Sequence, residues 1–186
     1  MNSAKPILRS SRVTLRAPRP ADVEWRIALG RHPEIVSMFG GSIDHWEPME
    51  AETAERWISS LVAHPHAWII EADSRGIGEI RLDAMNPDDE TARLAIGIFN
   101  PAMLGQGFGT EATHLLLAYA FGTLMLHRVS LRVLDFNTRA IACYKRCGFR
   151  IEGRERQNCR IGDARHDDII MGLLRDEYDG ALSSVG

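Results

Sequence analysis

The 186-residue chain is poor in lysine, in cysteine and in long apolar runs, and each scarcity closes off a class of function. Lys5 and Lys145 are its only lysines, so nearly all of the 22 basic residues are arginine, and a net charge of -3 offers no general attraction to a nucleic-acid backbone. Cys143, Cys147 and Cys159 are an odd number without a partner set spaced as zinc ligands, although Cys143 and Cys147 would share a helix face at i,i+4. Neither a zinc site nor a disulfide is expected. No apolar run approaches the roughly 18 residues of a membrane helix, and the opening MNSAKPILRS lacks an apolar leader core. The expectation is therefore a cytoplasmic protein with neither nucleic acid nor membrane as partner. The G-x-x-x-x-G-K-[ST] pattern is missing as well, which leaves a nucleotide triphosphate loop unsupported.

What is present suffices for a sizeable core: 45% of residues are hydrophobic and 25% charged, consistent with one domain spanning 1–186 with its core at about 10–178. Alternation predicts a strand over 13–18, and Pro20-Ala21-Asp22 opens a helix running toward Gly30. Ala54, Trp57, Ile58 and Leu61 recur at helical spacing within 49–62. Residues 67–72, 78–84 and 92–99 read as strands, with turns at DSRG and at Asn86-Pro87-Asp88-Asp89. A helix over 110–121 follows, with Gly122 to stop it. The strand HRVSLRVL comes next, then a helix over 138–147 that Asn137 opens and Gly148 closes. FRIEGRERQ and DDIIMGLL supply a final hairpin across IGDARH. The order β-α-α-β-β-β-α-β-α-β-β implies an α/β (α+β) protein, a mixed sheet with helices on both faces.

The stretch LGQGFGTEA places Gly105, Gly107 and Gly109 just before the helix at 110–121. Glycine permits positive φ and close backbone approach, and a helix N-terminus presents unpaired N–H groups, a combination that suits a phosphate or pyrophosphate. Thr110 stands where the dinucleotide fingerprint G-x-G-x-x-G needs its last glycine, which weakens a nicotinamide or flavin reading. A tight strand-to-helix turn with no ligand is the plain alternative.

Joined with NTRAIACYKRCGF, this loop resembles the acetyl-CoA-binding core of the GNAT N-acetyltransferase superfamily, and LHRVSLRV with GDARHDDIIMGLLRDEY is similar to its RimJ/RimL-like and spermidine N-acetyltransferase branch. Leu104, Gly105, Gln106, Gly107, Phe108 and Gly109 occupy the six positions of the family's [Gln/Arg]-x-x-Gly-x-[Gly/Ala] pattern, with Leu104 departing from the usual polar residue. The resemblance implies a GNAT fold in which the strands at 92–99 and 127–134 splay to admit the pantetheine arm. Gly97 fits either a bulge there or a packing accommodation. It further implies that N–H groups from Gln106 through Thr110 cradle the diphosphate, and that those near Ile98 and Phe99 hold the pantetheine and polarise the thioester carbonyl. Asn137 caps its helix and contacts the pantetheine, with Arg139 beside it on the cofactor. Tyr144 takes the place of the family's general acid.

The glutamate that many relatives carry before the glycine loop aligns with Arg93 and Leu94, so no carboxylate stands there. Glu79 could serve as base directly or through water, or be an ordinary solvent-facing strand residue; His114 and His127 could titrate, or merely pack and cap. Asp44, Glu47, Glu50, Glu52 and Glu55 gather around Trp46, either as an acidic lip for a cationic acceptor, with Trp46 and Glu50 as its contacts, or as a solvated helix start.

The activity implied is transfer of acetyl from acetyl-CoA, as cosubstrate and without metal, to a small-molecule amine or a protein N-terminus in a ternary complex. A homodimer is one assembly the sequence allows. A non-catalytic acyl-CoA-binding sensor is the rival reading that the missing glutamate favours, and a nucleotide-dependent oxidoreductase is a third.

Overall fold

The computed structural model describes residues 5–178, so the first four residues of MNSAKPILRS lie outside that span. An eight-stranded sheet runs in the order β1-β2-β3-β4-β5-β6-β8-β7. Its strands are β1 (Leu8–Arg9), β2 (Thr14–Arg16), β3 (Ala67–Ala72), β4 (Arg75–Asn86), β5 (Thr91–Ile98), β6 (Arg128–Leu134), β7 (Arg150–Ile161) and β8 (Ala164–Leu174). Every neighbouring pair is antiparallel except β5 with β6, so the sheet is mixed.

Among the described residues five α-helices accompany it: α1 (Asp22–Leu29), α2 (Pro33–Met38), α3 (Ala51–Ala63), α4 (Phe108–Gly122) and α5 (Thr138–Arg146). β3 shows how one sequence serves two layers. Trp68, Ile70 and Ala72 join the core beneath α4 and α5, whereas Ala67 and Ile69 face Ile58 and Leu61 of α3. Period-2 alternation sends successive side chains to opposite faces, so helices on both faces make AWII a continuously buried run. Arg16 ties α1 to this sheet through a buried bidentate pair with Asp22 at 2.8 and 2.6 Å, and through Glu71 at 2.6 Å. Those partners satisfy a buried guanidinium that would otherwise be costly.

The structure extends the expected element order in three places. β1 is a two-residue edge strand, too short to carry a pattern. α2 was not anticipated; its cues are Pro33 in its first turn and Glu34 beside it, and six residues give periodicity little to work with. The last hairpin turns at Gly162-Asp163, since Ile161 pairs with Ala164, so the strands run through most of IGDARH instead of stopping before it. Gly162 has φ 57° while Asp163 does not share the positive φ, the pattern of a two-residue II′ turn with glycine first. Asp73 and Ser74 both have positive φ, 48° and 60°, and make a I′ turn between β3 and β4.

Candidate active site

β5 and β6 are in register only at Thr91–Arg128, Ala92–Val129 and Arg93–Ser130. Beyond Arg93 the two strands part, while β4 continues to pair with β5 as far as Ile98 and β8 with β6 as far as Leu134. The gap is therefore a wedge held open from both sides.

Its chemistry follows from the antiparallel ladder. Phe99 N–H donates to the Ile77 carbonyl at 2.8 Å, which makes Ile77–Phe99 a hydrogen-bonded pair. Because such pairs alternate with non-bonded ones, Gly97 and Ala95 also face β4, and the N–H groups of Ile98 and Ile96 point into the wedge, where β6 no longer meets them. The expectation at 98–99 thus divides: Ile98 has an amide to offer a ligand, whereas the Phe99 amide is already committed. Ile96 joins Ile98, a residue that alternation alone did not single out.

Gly97 shows no bulge, for the β4–β5 register runs unbroken from Gly78–Ile98 to Asp83–Arg93. Its small size serves packing: a Cβ there would come within 2.8 Å of Phe39 Cζ and 2.9 Å of Phe99 Cε1.

The mouth of the wedge is the glycine loop. Gly105 and Gly107 have φ of 74° and 88°, and Gly107 is the residue from which α4 starts, so the first N–H groups of α4 are presented at the wedge. Leu104, Gly105, Gly107, Phe108, Gly109 and Thr110 line the cavity. Gln106 does not; its amide Nε2 donates to the Ala102 carbonyl and its own carbonyl accepts from Arg12 Nη1 at 3.1 Å.

Arg12 is a residue the sequence reading missed. It pairs with Glu111 of α4, lies over the Phe108 ring at 4.9 Å and pins the Gln106 carbonyl outward. Since C=O and N–H of one planar trans peptide point in opposite directions, that pin aims the Gly107 N–H away from Arg12.

α5 forms the other wall. Asn137 Oδ1 accepts from Ala140 N–H at 3.1 Å as an N-cap, and Asn137 itself lines the cavity beside Arg139, whose Nη1 pairs with Glu34 of α2 at 2.7 Å. Tyr144 reaches the same cavity while only 8% exposed, and burial drives its pKa far above the ordinary phenol value. Its hydroxyl has no hydrogen-bond partner among the described residues, so it remains a protonated donor. Cys143 and Cys147 do share a face, docked on the first turn of α4: Cys143 Sγ lies 3.2 Å from Thr110 Oγ1, and Cys147 donates to the Thr110 carbonyl at 3.8 Å. All three cysteines are free thiols.

At the far end of the cavity stands Glu79, directly across the ladder from Gly97. Only 6% of it is exposed, which corrects the solvent-facing reading: α1 and α3 cover this face of β4, so alternation misleads where both faces are roofed. Burial raises its pKa, against the opposing pulls of Arg81, which donates to Glu79 Oε1 at 2.5 Å, and of the Trp57 side chain. Oε2 is buried and meets no donor in full hydrogen-bond geometry among the described residues, although the Trp57 side chain is close enough to favour the carboxylate. Arg26, Phe39, Trp57 and Phe99 surround it.

The other titratable candidates stand elsewhere. His114 and His127 are exposed and do not line the cavity. Neither do Trp46 and Glu50. Trp46 covers Gly30, where a Cβ would come within 2.5 Å of its Nε1, and donates to the Leu29 carbonyl at 3.3 Å. Glu50 precedes the first turn of α3, and Glu47 is engaged by Arg31 at 2.6 Å. Trp57 is the tryptophan that reaches the site.

The cavity joining these parts is about 700 Å³, ample for a pantetheine arm and a small second molecule. A donor-rich mouth, a slot edged by free amides, one protonated phenol and one buried carboxylate suit acyl transfer from a long anionic thioester. The Acetyltransferase (GNAT) domain family model matches residues 12–150. The chain belongs to the GNAT acetyltransferases. This GNAT chain is 28% identical over 175 residues to the spermidine N(1)-acetyltransferase of Vibrio cholerae, covering 91% of the chain and 96% of the relative. To the N-acetyltransferase YokL of Bacillus subtilis it is 26% identical, with 90% and 92% covered.

Among solved structures, the spermidine N-acetyltransferase of Vibrio cholerae in complex with CoA and spermine superposes with TM-score 0.75 at 26% identity, covering 91% of this chain and 99% of that one. A GCN5-related N-acetyltransferase from Brucella melitensis shares the fold at TM-score 0.80 and 17% identity, with 96% and 83% covered.

Proposed function

We propose that the protein transfers acetyl from acetyl-CoA to a primary amine by direct attack within a ternary complex. The observation that carries this reading is the departure of β5 from β6 after Arg93, which opens free amides onto a cavity holding both Tyr144 and Glu79. The α4 N-terminus and the Gly105–Gly107 turn would take the diphosphate, and Asn137 and Arg139 lie where the pantetheine arm and a phosphate could meet them. The complex of the Vibrio cholerae relative with CoA supports CoA as the carrier.

Within the wedge, the Ile96 and Ile98 amides would accept the negative charge that develops on the thioester oxygen as the amine nitrogen bonds to the carbonyl carbon. Glu79, made more basic by burial, takes the proton that the attacking ammonium must lose, directly or through water. Collapse breaks the carbon–sulfur bond, and Tyr144 donates to the departing thiolate. No covalent enzyme intermediate is needed. Cys143 lines the cavity, and Cys147, Thr110 and the Arg146 charge lower its thiol pKa to about 6, yet no histidine among the cavity-lining residues is there to shuttle a proton.

Glu79 also weighs against a CoA-binding sensor, since a buried carboxylate with one unbonded oxygen is costly to keep unless it meets a ligand. Thiol release from acetyl-CoA, followed across a panel of amines, tests the proposal. Amine-dependent release is expected. Binding of CoA without release for any amine would leave the sensor reading standing.

A further inference from the structure

Charge is unevenly matched at the acceptor end of the cavity. Glu79, Asp83 and Asp168 line it, and each already faces an arginine: Arg81 meets Glu79 at 2.5 Å and Asp83 at 3.0 Å, and Arg132 lies 3.5 Å from Asp168. Three arginines of the same cavity, Arg26, Arg93 and the exposed Arg146, have no carboxylate at ion-pair distance among the described residues. Arg93 is exposed, where water serves a guanidinium well.

Arg26 is not exposed. With 9% of its surface accessible, it lies over the Phe99 ring at 4.6 Å and the Trp57 ring at 5.7 Å, and it donates from Nη1 to the Gly30 carbonyl at 2.8 Å. Burial draws its pKa down to about 10, against the opposing pull of the Glu79 charge. A guanidinium has five N–H donors in a planar fork matched to a carboxylate, and the Gly30 carbonyl uses one of them. Aromatic rings hold the plane in place and leave its remaining edge without an anion.

Glu79 supplies the complement. Its Oε2 is buried and unbonded, and its charge is felt at Arg26. One guest in this space therefore meets an oxygen that wants a cation and a fork that wants an anion. Ile35, Met38 and Phe39 of the α2 segment add an apolar wall.

We infer that the acceptor is an amino-carboxylate, a free amino acid or similarly compact molecule with an apolar side chain, its amine directed to Glu79 and its carboxylate seated on Arg26. This rests on the transferase reading above and narrows it. A polyamine is disfavoured here: it has several cations and no anion, and it would meet Arg26 and Arg93 with no carboxylate free of an arginine for its second amine. The acceptor thus differs in charge from the one for which the Vibrio cholerae relative is named.

The test pairs acceptors that differ only in the carboxylate: leucine against isopentylamine, and phenylalanine against phenethylamine, with spermidine alongside. In the wild type, kcat/KM should favour the carboxylate-bearing member of each pair by about tenfold or more, a ratio typical of one charge-assisted contact. Arg26→Gln should bring that ratio close to one while CoA affinity stays within twofold. Differences in amine basicity cancel between wild type and variant, and a folding defect would lower both members of a pair equally. Arg26→Lys keeps the charge but loses the fork and should fall between them.

Equal use of both members by the wild type, a preference for spermidine, or an unchanged ratio in Arg26→Gln would each overturn the inference while leaving the transferase intact. Failure of the wild type to bind CoA would remove the transferase reading and this inference with it.

Discussion

The two ends of the cavity are built from different materials. The cofactor end is made of backbone: two positive-φ glycines, the first amides of α4 and the unpaired N–H groups of Ile96 and Ile98. The acceptor end is made of side chains brought from far apart in sequence, with Arg26 from α1, Phe39 just beyond α2, Trp57 from α3 and Glu79 from β4. Backbone donors read any phosphate and tolerate drift in the side chains around them. A side-chain constellation reads one acceptor and can be rebuilt without disturbing the fold. Substitutions at the two ends should therefore separate cofactor affinity from chemistry and acceptor choice.

The largest effect is expected from Gly107→Val. With φ at 88° the position is strained for any branched residue, and a Cβ would lie 3.1 Å from Arg12 Nη2. CoA affinity measured by calorimetry should fall by roughly a hundredfold or more, since the whole diphosphate cradle is lost. Tyr144→Phe comes next. Removing the donor should reduce kcat by roughly 10- to 100-fold and leave acetyl-CoA affinity within a few-fold; unchanged turnover would take Tyr144 out of the mechanism.

Glu79→Gln probes the opposite end. It should reduce kcat/KM by about tenfold and abolish the acidic limb of the pH profile, which in the wild type should lie above the ordinary carboxylate range. Stability offers a second readout. Burial raises the Glu79 pKa above the 4.5 of a free glutamate, so the folded state holds the proton more tightly than the unfolded chain. The stability thereby contributed is complete below the unfolded pKa and is lost as pH rises through the raised native value. Glutamine does not titrate, so the melting temperature of Glu79→Gln relative to wild type should climb with pH across that window. A flat difference would contradict the burial argument.

Arg12→Ala should have a smaller effect, confined to the cofactor end. By freeing the Gln106 carbonyl it should raise KM for acetyl-CoA by about three- to tenfold with kcat unchanged, as loss of uniform binding does. With acetyl-pantetheine, which has no diphosphate, the variant should match the wild type. Trp46→Ala should change least. Its ring covers Gly30 outside the cavity, so turnover with every acceptor should persist while stability drops by about 1 kcal/mol. Loss of acceptor affinity would return Trp46 to the site.

The same division explains what could be read from the sequence. The cofactor end was legible because its elements are local: a glycine run ahead of an amphipathic helix, and Asn137 seven residues ahead of Tyr144, each complete within a short stretch. The mixed sheet with helices on both faces followed from hydrophobic period alone. The Phe99 amide was misjudged because which amides face β4 depends on register, which one strand does not specify.

The acceptor end was largely illegible. Glu79 alternates as a surface residue would, and only the packing of α1 and α3 over β4 buries it. Arg26 looks like one more arginine on an amphipathic helix until Phe99 and Trp57 close around it. Trp46 and its acidic neighbours drew attention because they cluster in sequence, yet the chain uses that segment to close a loop against α1 through the Arg31–Glu47 bridge.

The central claim is that amides of the glycine loop and of the unpaired half of β5 form one continuous cofactor track. Titrating CoA into the isotope-labelled protein and following backbone amide shifts tests it most directly. The account predicts saturable shifts at Gly105, Gly107, Gly109 and Thr110 together with Ile96 and Ile98, and none along the distal β7–β8 hairpin near Gly162. Shifts that spare Ile96 and Ile98, or no shift at all, would contradict it.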